Sequence, residues 1–287
     1  MGRYSLPFRV LHALGRGVAR AGPLAAPAAL VAGCAGGQTV NGLKAQDFFP
    51  DPAVRALAEA AARGDAAEVA RLVKAGADPN GAGREGMVPL VWAMGTRSHA
   101  GMRALLAAGA DPNVAGPSGL KPLELAAGST DPELLRILLD AKGDPNARNS
   151  GTEPLLYTAV MHRQPANVRL LVQRGADVNA VDATHTTPVM LAASVEEWEL
   201  AAWLLEHGAD PTIPRLSGGT VAYQLEHSGQ PREPAQRHGY ARVRELLLAR
   251  GVRFPAERPA EARLRAFGPD NPVDAGQQHN AARHGTP

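Results

Sequence analysis

The sequence predicts an all-α repeat solenoid, and the main reason is a motif that returns every 33 residues. The run Gly76-Ala77-Asp78-Pro79-Asn80 recurs with small changes, so that aspartates stand at positions 78, 111, 144, 177 and 210. Only 4% of the residues are aromatic, which favours closely packed helices over a β-sandwich. A second element, with a proline, precedes four of the aspartates: Val88-Pro89-Leu90, Lys121-Pro122-Leu123, Glu153-Pro154-Leu155 and Thr187-Pro188-Val189.

Each part of the repeated unit can be interpreted as a pair of helices joined to a turn. A proline fits the first turn of a helix, where its missing N–H is not needed. Apolar runs such as Leu134–Leu139 supply the buried stripe of the second helix, and the glycine after it ends that helix with a positive φ. Asp-Pro-Asn then starts a turn toward an exposed finger. Core packing is expected for Trp92, Tyr157, Trp198 and Trp203.

This pattern resembles the ankyrin repeat, whose unit is a β-turn finger followed by a helix-turn-helix pair. The resemblance covers residues 51–255 and gives about six repeats, the first beginning near Asp51. Because each repeat contacts only its neighbours, such an array implies an elongated, concave surface suited to binding.

Two repeats depart from the regular spacing. In the sixth, Gly251 follows Gly208 by 43 residues, so residues 228–237 are expected to lengthen the loop between its two helices. In the fourth, Pro154 comes one residue early, which predicts a lost residue there and a compensating gain near Gln164-Pro165.

Two residue types that are typical of the family are also replaced. The finger-tip glycine, found as Gly86, Gly119 and Gly151, becomes His185 in the fifth repeat, which predicts a distorted finger. The histidine of the family's Thr-Pro-Leu-His motif is missing, so its side-chain hydrogen bond between repeats is expected to be absent. Its positions are held by Val91, Glu124, Leu156 and Met190.

The start of the chain is typical of a secretory signal. Four arginines and no acidic residue precede Cys34, and the apolar stretch Ala21–Gly33 has 13 residues, too few for a membrane-spanning helix of ~20. Val31-Ala32-Gly33-Cys34 resembles the lipobox of bacterial lipoproteins, which implies cleavage before Cys34 and acylation of this single cysteine. An organellar transit peptide or a disordered cytosolic tail are the alternative interpretations.

The resulting organisation is a signal peptide at 1–33, a lipidated N-terminal linker at 34–50, the ankyrin-repeat domain at 51–255 and a flexible C-terminal tail at 256–287. Lipoproteins that stay at the inner membrane often carry aspartate after the cysteine, whereas Ala35 in this position is typical of lipoproteins sorted to the outer membrane. The expected location is therefore the periplasmic side of the cell envelope, with the outer membrane as the anchoring membrane.

Sequence patterns for enzymatic chemistry do not support a catalytic site. Gly81–Gly86 fits GxGxxG but follows a helix and a turn, whereas a dinucleotide site needs a preceding strand. The nine histidines are scattered, which predicts no metal and no cofactor. Without the leader arginines the formal charge changes from +2 to −2, which argues against nucleic-acid binding. A non-enzymatic protein is expected, with a site in the extended sixth repeat as the enzymatic alternative.

The ankyrin resemblance implies that a protein partner binds the finger tips and the exposed edge of the first helix on the concave face. Met87, Leu120, Met161 and Val195 would place apolar atoms on that surface, which is typical of an interaction patch. The positions carried over by motif are Arg84, Glu85, Met87, Thr96, Pro117, Ser118, Leu120, Ser129, Asn149, Ser150, Thr152, Met161, Thr184, Thr186, Val195 and Glu196.

Two stretches of the sequence make the resemblance to ankyrin-repeat proteins more specific. The segments "DFFPDPAVRALAEAAARGD" and "REGMVPLVWAM" are similar to a subgroup of proteobacterial ankyrin lipoproteins, several of which are thought to be antidotes to phospholipase or other toxins delivered by type VI secretion. This implies an immunity protein that covers the active site or the membrane-docking surface of a lipase toxin. A general periplasmic scaffold for an envelope enzyme or stress protein is the alternative.

Overall fold

The computed structural model describes residues 39–40, 42–115, 119, 121–231 and 233–268. These residues form fourteen α-helices and no strand, apart from one isolated antiparallel bridge between Val40 and Leu43. The predicted signal peptide, Cys34, Pro117, Ser118 and Leu120 lie outside the described residues. The chain divides between Ser150 and Gly151 into two compact units.

The first unit contains a short opening helix and three helix pairs. The opening helix and the first pair are followed by a 3-10 turn at Arg84–Gly86, and then by the two other pairs. The bounds are α1 Ala45–Phe48, α2 Pro52–Arg63, α3 Ala66–Lys74, α4 Pro89–Gly95, α5 His99–Ala107, α6 Pro122–Ala127 and α7 Pro132–Asp140.

The second unit contains three further pairs and a closing helix. Helices α8 and α10 pack together, as do α10 and α12, so the first helices of successive repeats stack side by side. The bounds are α8 Leu155–Met161, α9 Pro165–Gln173, α10 Pro188–Ser194, α11 Trp198–Glu206, α12 Val221–His227, α13 Pro234–Ala249 and α14 Pro259–Phe267.

The 33-residue period holds through the fourth repeat. First helices begin at positions 89, 122, 155, 188 and 221, and second helices at 66, 99, 132, 165 and 198. The predicted loss and gain of a residue in the fourth repeat is therefore wrong. Pro154 is the N-cap of α8, whereas Pro122 and Pro188 are the first residues of their helices. The helix begins in register with the others, and only the proline is displaced by one position, because its fixed φ is compatible with either position.

The extra residues of the sixth repeat lie where the sequence predicts them, but most of them extend a helix. Helix α13 begins at Pro234 and has 16 residues, whereas α11 has 9. It packs tightly on α11, since a Cβ at Gly239 would come within 2.5 Å of the Trp198 carbonyl carbon. Tyr240 places its ring edge-on to Trp198, with the ring centroids 5.1 Å apart.

Two of the four aromatic residues predicted to pack in the core are fully buried there. Trp92 and Trp198 are fully buried, which confirms their assignment to packing. Tyr157 and Trp203 are half-buried, and the Trp203 ring stacks on His207 at a centroid distance of 3.8 Å.

The described part of the predicted N-terminal linker is packed onto the first unit. Phe48 and Phe49 place their rings 5.7 and 6.3 Å from Trp92, and Phe49 is fully buried. Val40 packs against Gly95, where a Cβ would come within 2.9 Å of it. Residues 39–40 and 42–49 therefore belong to the folded unit, because their apolar side chains pack on α4.

The described part of the predicted C-terminal tail is also folded. Helix α14 buries Ala262 completely. The Phe267 ring meets His185 edge-on at a centroid distance of 5.0 Å, and the Pro259 backbone leaves no space for a Cβ on Gly218. This segment is therefore a helix that packs on the fingers of the fifth and sixth repeats, because its apolar residues find partners there.

The recurring Asp-Pro-Asn motif couples neighbouring repeats. Each aspartate accepts the N–H of the residue two places on, at 2.8 to 2.9 Å. Asn80 reaches the next repeat, accepting the Asp111 N–H at 2.8 Å and donating to the Gly109 carbonyl at 3.2 Å. Asn113 and Asn179 repeat this arrangement. The aspartate thus builds the turn and the asparagine joins it to the next one.

Candidate protein-binding surface

The positions predicted to bind a partner in the first unit are only partly exposed. Arg84, Glu85 and Ser150 are exposed and Thr96 is half-buried. Met87, at 3% exposure, is a correction to the predicted apolar patch. The finger folds back, with the Gly83 N–H donating to the Met87 carbonyl at 2.7 Å, and α1 packs on the 3-10 turn that precedes Met87. The side chains of Ser129 and Asn149 are buried as well.

In the second unit more of the predicted positions are exposed. Thr152, Thr184 and Glu196 are exposed, and Met161 is a large apolar side chain with 47% exposure. Val195 is half-buried. Thr186 is buried, contrary to the prediction, because Asp182 Oδ1 accepts its N–H at 2.8 Å and its hydroxyl lies 2.7 Å from that of Thr184.

The finger tips share one backbone conformation. A positive φ occurs at positions 86, 119, 152, 185 and 218, in step with the 33-residue period. The tip of the fourth repeat is therefore Thr152, with φ 70°, and not Gly151 as predicted. His185, with φ 62°, keeps the same conformation, so its finger is not distorted. Its Nδ1 donates to the Pro214 carbonyl at 2.8 Å, which holds it against the next finger.

Glu124 supplies a link between repeats that the sequence prediction excluded. Its carboxylate accepts the Ser150 N–H at 2.9 Å and the Ser150 hydroxyl at 3.0 Å, joining α6 to the next finger. The glutamate thus forms a hydrogen bond between repeats at the position where the sequence prediction expected none. In the fourth repeat the equivalent place belongs to Tyr157 and not to Leu156, because α8 keeps the 33-residue period.

The sixth finger carries a half-buried arginine that faces the first helices of the second unit. Arg215 donates through Nη2 to the Met190 carbonyl at 3.4 Å and to the Ser194 hydroxyl. Burial lowers the pKa of Arg215, and this effect outweighs the attraction of Asp182. Burial, with the nearby carboxylates of Glu153 and Asp182, raises the pKa of Tyr157. Both side chains are thus partly withdrawn from water.

A cavity of about 260 Å³ opens beside this arginine. Ser217, Thr220, Tyr223 and Gln224 provide polar groups on its wall, and Met190 and Pro259 provide apolar ones. The sequence prediction assigned no partner-binding residue to this repeat. The available signal was position 215 itself, which lies one period after Asp182 in the preceding finger.

A larger cavity, of about 570 Å³, lies at the loops that join first and second helices. Val195 and Glu196 line it, so these two predicted residues border this cavity. Arg163 crosses its edge, with Nη1 3.1 Å from the Glu197 carboxylate. The backbone N–H of Trp198 donates to Gln236 Oε1 at 2.7 Å, which joins α13 to the start of α11.

Chemical groups for metal binding do not cluster in the part of the chain that the structure describes. No three or more histidine, cysteine, aspartate or glutamate side chains there are placed to hold a metal ion. Among the same residues, every helix is too short or too polar to cross a membrane.

Comparisons with known proteins agree with this architecture. Residues 123–215 match a family model described as ankyrin repeats in three copies. The chain is similar to the ankyrin repeat domain of Bcl-3, a unique member of the IkappaB protein family, with 26% identity and a TM-score of 0.60 over 72% of this chain and 90% of that one. It is also similar to EF0377, an ankyrin repeat protein, with 25% identity and a TM-score of 0.55 over 68% and 97%. No curated protein matches it. The predicted all-α repeat solenoid is confirmed.

Proposed function

We propose that this ankyrin-repeat protein, whose repeats indicate a protein-binding module, is an immunity protein tethered to the cell envelope. It binds a toxin, such as a phospholipase delivered by type VI secretion, and neutralises it by obstruction without catalysis. The observation that carries the proposal is the set of exposed finger and first-helix positions on a regular repeat array, among them Thr152, Met161 and Thr184.

The proposed tether rests on the sequence around Cys34. The apolar stretch Ala21–Gly33 ends at the only cysteine of the chain, and acyl chains on that cysteine would hold the protein at a membrane. The antidote proposal rests on the two segments similar to proteobacterial ankyrin lipoproteins. In the structure they pack together, since Phe48 and Phe49 of the first contact Trp92 of the second.

Replacement of Cys34 by serine is expected to abolish lipid attachment and to leave the leader uncut. Cells fed a labelled fatty acid would carry the label on the wild-type protein in the membrane fraction and none on Cys34→Ser. Far-UV circular dichroism of the purified variant should stay helical, since the substitution changes none of the helices that the structure describes. A wild-type protein that carries no label would contradict the tether.

Partner capture from the native envelope tests the binding proposal. A secreted lipase co-purifying with the wild-type chain, and losing turnover when bound, is the expected result. Met161→Arg should weaken that binding at least tenfold, because it places a charge in an exposed apolar position of the proposed interface. Leu248→Arg is the matched control, since Leu248 is 51% exposed on α13, a second helix. Capture of an envelope enzyme that stays active would favour the scaffold alternative instead.

A further inference from the structure

Arg215 carries a charge that the described part of its unit leaves without a carboxylate partner. Its Nη2 bonds go to a carbonyl and a hydroxyl, and its buried Nε has no hydrogen-bond partner. The nearby Asp182 uses Oδ1 for the N–H groups of Thr184 and Thr186. A guanidinium that is partly withdrawn from water and has no carboxylate at ion-pair distance among the described residues costs free energy, which the attraction of Asp182 does not fully offset.

The cavity beside Arg215 has the size and the chemistry to receive one side chain. Its volume of about 260 Å³ far exceeds the roughly 30 Å³ that one water takes up in the liquid. Arg215 is the only cationic residue among those that line it, and Ser217, Tyr223 and Gln224 add neutral hydrogen-bonding groups. One positive charge with neutral donors suits a singly charged carboxylate better than a phosphate, which carries close to two charges.

We propose that this cavity binds an aspartate or glutamate side chain of the protein partner, with Arg215 as the anchoring residue. The proposal rests on the proposed function only in that the chain binds a protein, and it names the chemistry of the partner's contact. A carboxylate entering the cavity forms a charge-assisted hydrogen bond in a partly desolvated site, where such bonds are strongest. Arginines in such surroundings are frequent hot spots of interfaces.

Selection of displayed random linear peptides on the full-length chain tests this proposal without knowledge of the natural partner. Peptides that bind the wild type should share an aspartate or glutamate at one position. Replacing that acid by its amide in synthetic peptides should weaken affinity at least tenfold. Arg215→Gln should select peptides without the acid, whereas the control Arg253→Gln, at an exposed arginine of the same unit, should keep it.

Two outcomes would overturn the proposal: no enriched acidic position on the wild-type chain, or an acid preference that survives Arg215→Gln. Thermal unfolding of each variant shows whether it is folded. Should Arg215→Gln fail to fold, Ser217→Trp decides, because it fills the rim of the cavity from an exposed position without altering the guanidinium. An acid preference that persists in Ser217→Trp contradicts the proposal. Failure to capture a toxin from the envelope would bear on the proposed function alone.

Discussion

Replacing Gly101 by alanine is expected to lower the free energy of unfolding of the first unit by about 3 kcal/mol. In an exposed helix the same change raises stability by about 1 kcal/mol, because alanine is the better helix former. Here a Cβ would lie within 2.6 Å of the Ala61 carbonyl carbon on α2. The Ser98 hydroxyl already donates to the Ala61 carbonyl at 2.7 Å, so α5 starts in close contact with α2. The added methyl forces the two helices apart.

Urea unfolding followed by far-UV circular dichroism measures this loss. Gly219→Ala is the matched control, because a Cβ there meets no atom within 4 Å and its φ is not positive. We expect that variant to stay within about 0.5 kcal/mol of the wild type. Equal midpoints for Gly101→Ala and Gly219→Ala would show that α2 and α5 can separate without cost, contrary to the packing described above.

Replacing Trp92 by alanine is expected to cost about 3–5 kcal/mol, the usual range for a large aromatic side chain in a core. The indole is fully buried on α4 and contacts Phe48 and Phe49. Its loss leaves a cavity and also removes the surface on which Phe48 and Phe49 pack. Trp92→Phe should cost much less, because the buried indole N–H has no hydrogen-bond partner in the described structure and contributes nothing favourable.

The same urea experiment separates these variants, and hydrogen exchange adds a local measurement. In Trp92→Ala the amides of Val40 and Leu43, which bond to each other's carbonyls at 3.0 Å, should lose protection. Trp203→Ala is the control, since Trp203 is half-buried and should cost about 1 kcal/mol. Retained protection at Val40 in Trp92→Ala would show that the N-terminal segment is held by other contacts.

The repeat order could be predicted from the sequence because its signals are local. Aspartates 33 residues apart mark the turns, and the prolines mark the helix starts to within one residue. In the fourth repeat the start of the first helix was predicted one residue too early from Pro154, because proline is compatible with both the N-cap and the first helical position. Gly239 is a weak helix residue, and its place inside α13 follows only from the close approach of α11.

Exposure at the candidate surface was harder to predict, since it depends on contacts between distant parts of the sequence. Periodicity assigns Met87 to the finger side of the second repeat, but α1 packs on the turn before it. Thr186 is polar, as surface residues usually are, yet it is buried and its N–H donates to Asp182. Arg215 was not predicted, although it lies one period after Asp182, because its partial burial and its unpaired Nε depend on the folded structure.

The links between turns also determine how this array can change in length. In the fifth turn Thr212 stands where asparagine stands in the others, and its hydroxyl donates to Asp210 of the same turn at 2.7 Å. The sixth repeat is held by helix packing at Gly239 and Gln236, and by Arg250, whose Nη1 donates to the Ala209 carbonyl at 2.6 Å. Duplication of an internal repeat would carry its own asparagine and preserve the connection, whereas a repeat that follows the fifth turn needs a different group, which Arg250 supplies here. The asparagine link can thus be copied with any internal repeat, whereas the arginine link fixes the last repeat to its place in the series.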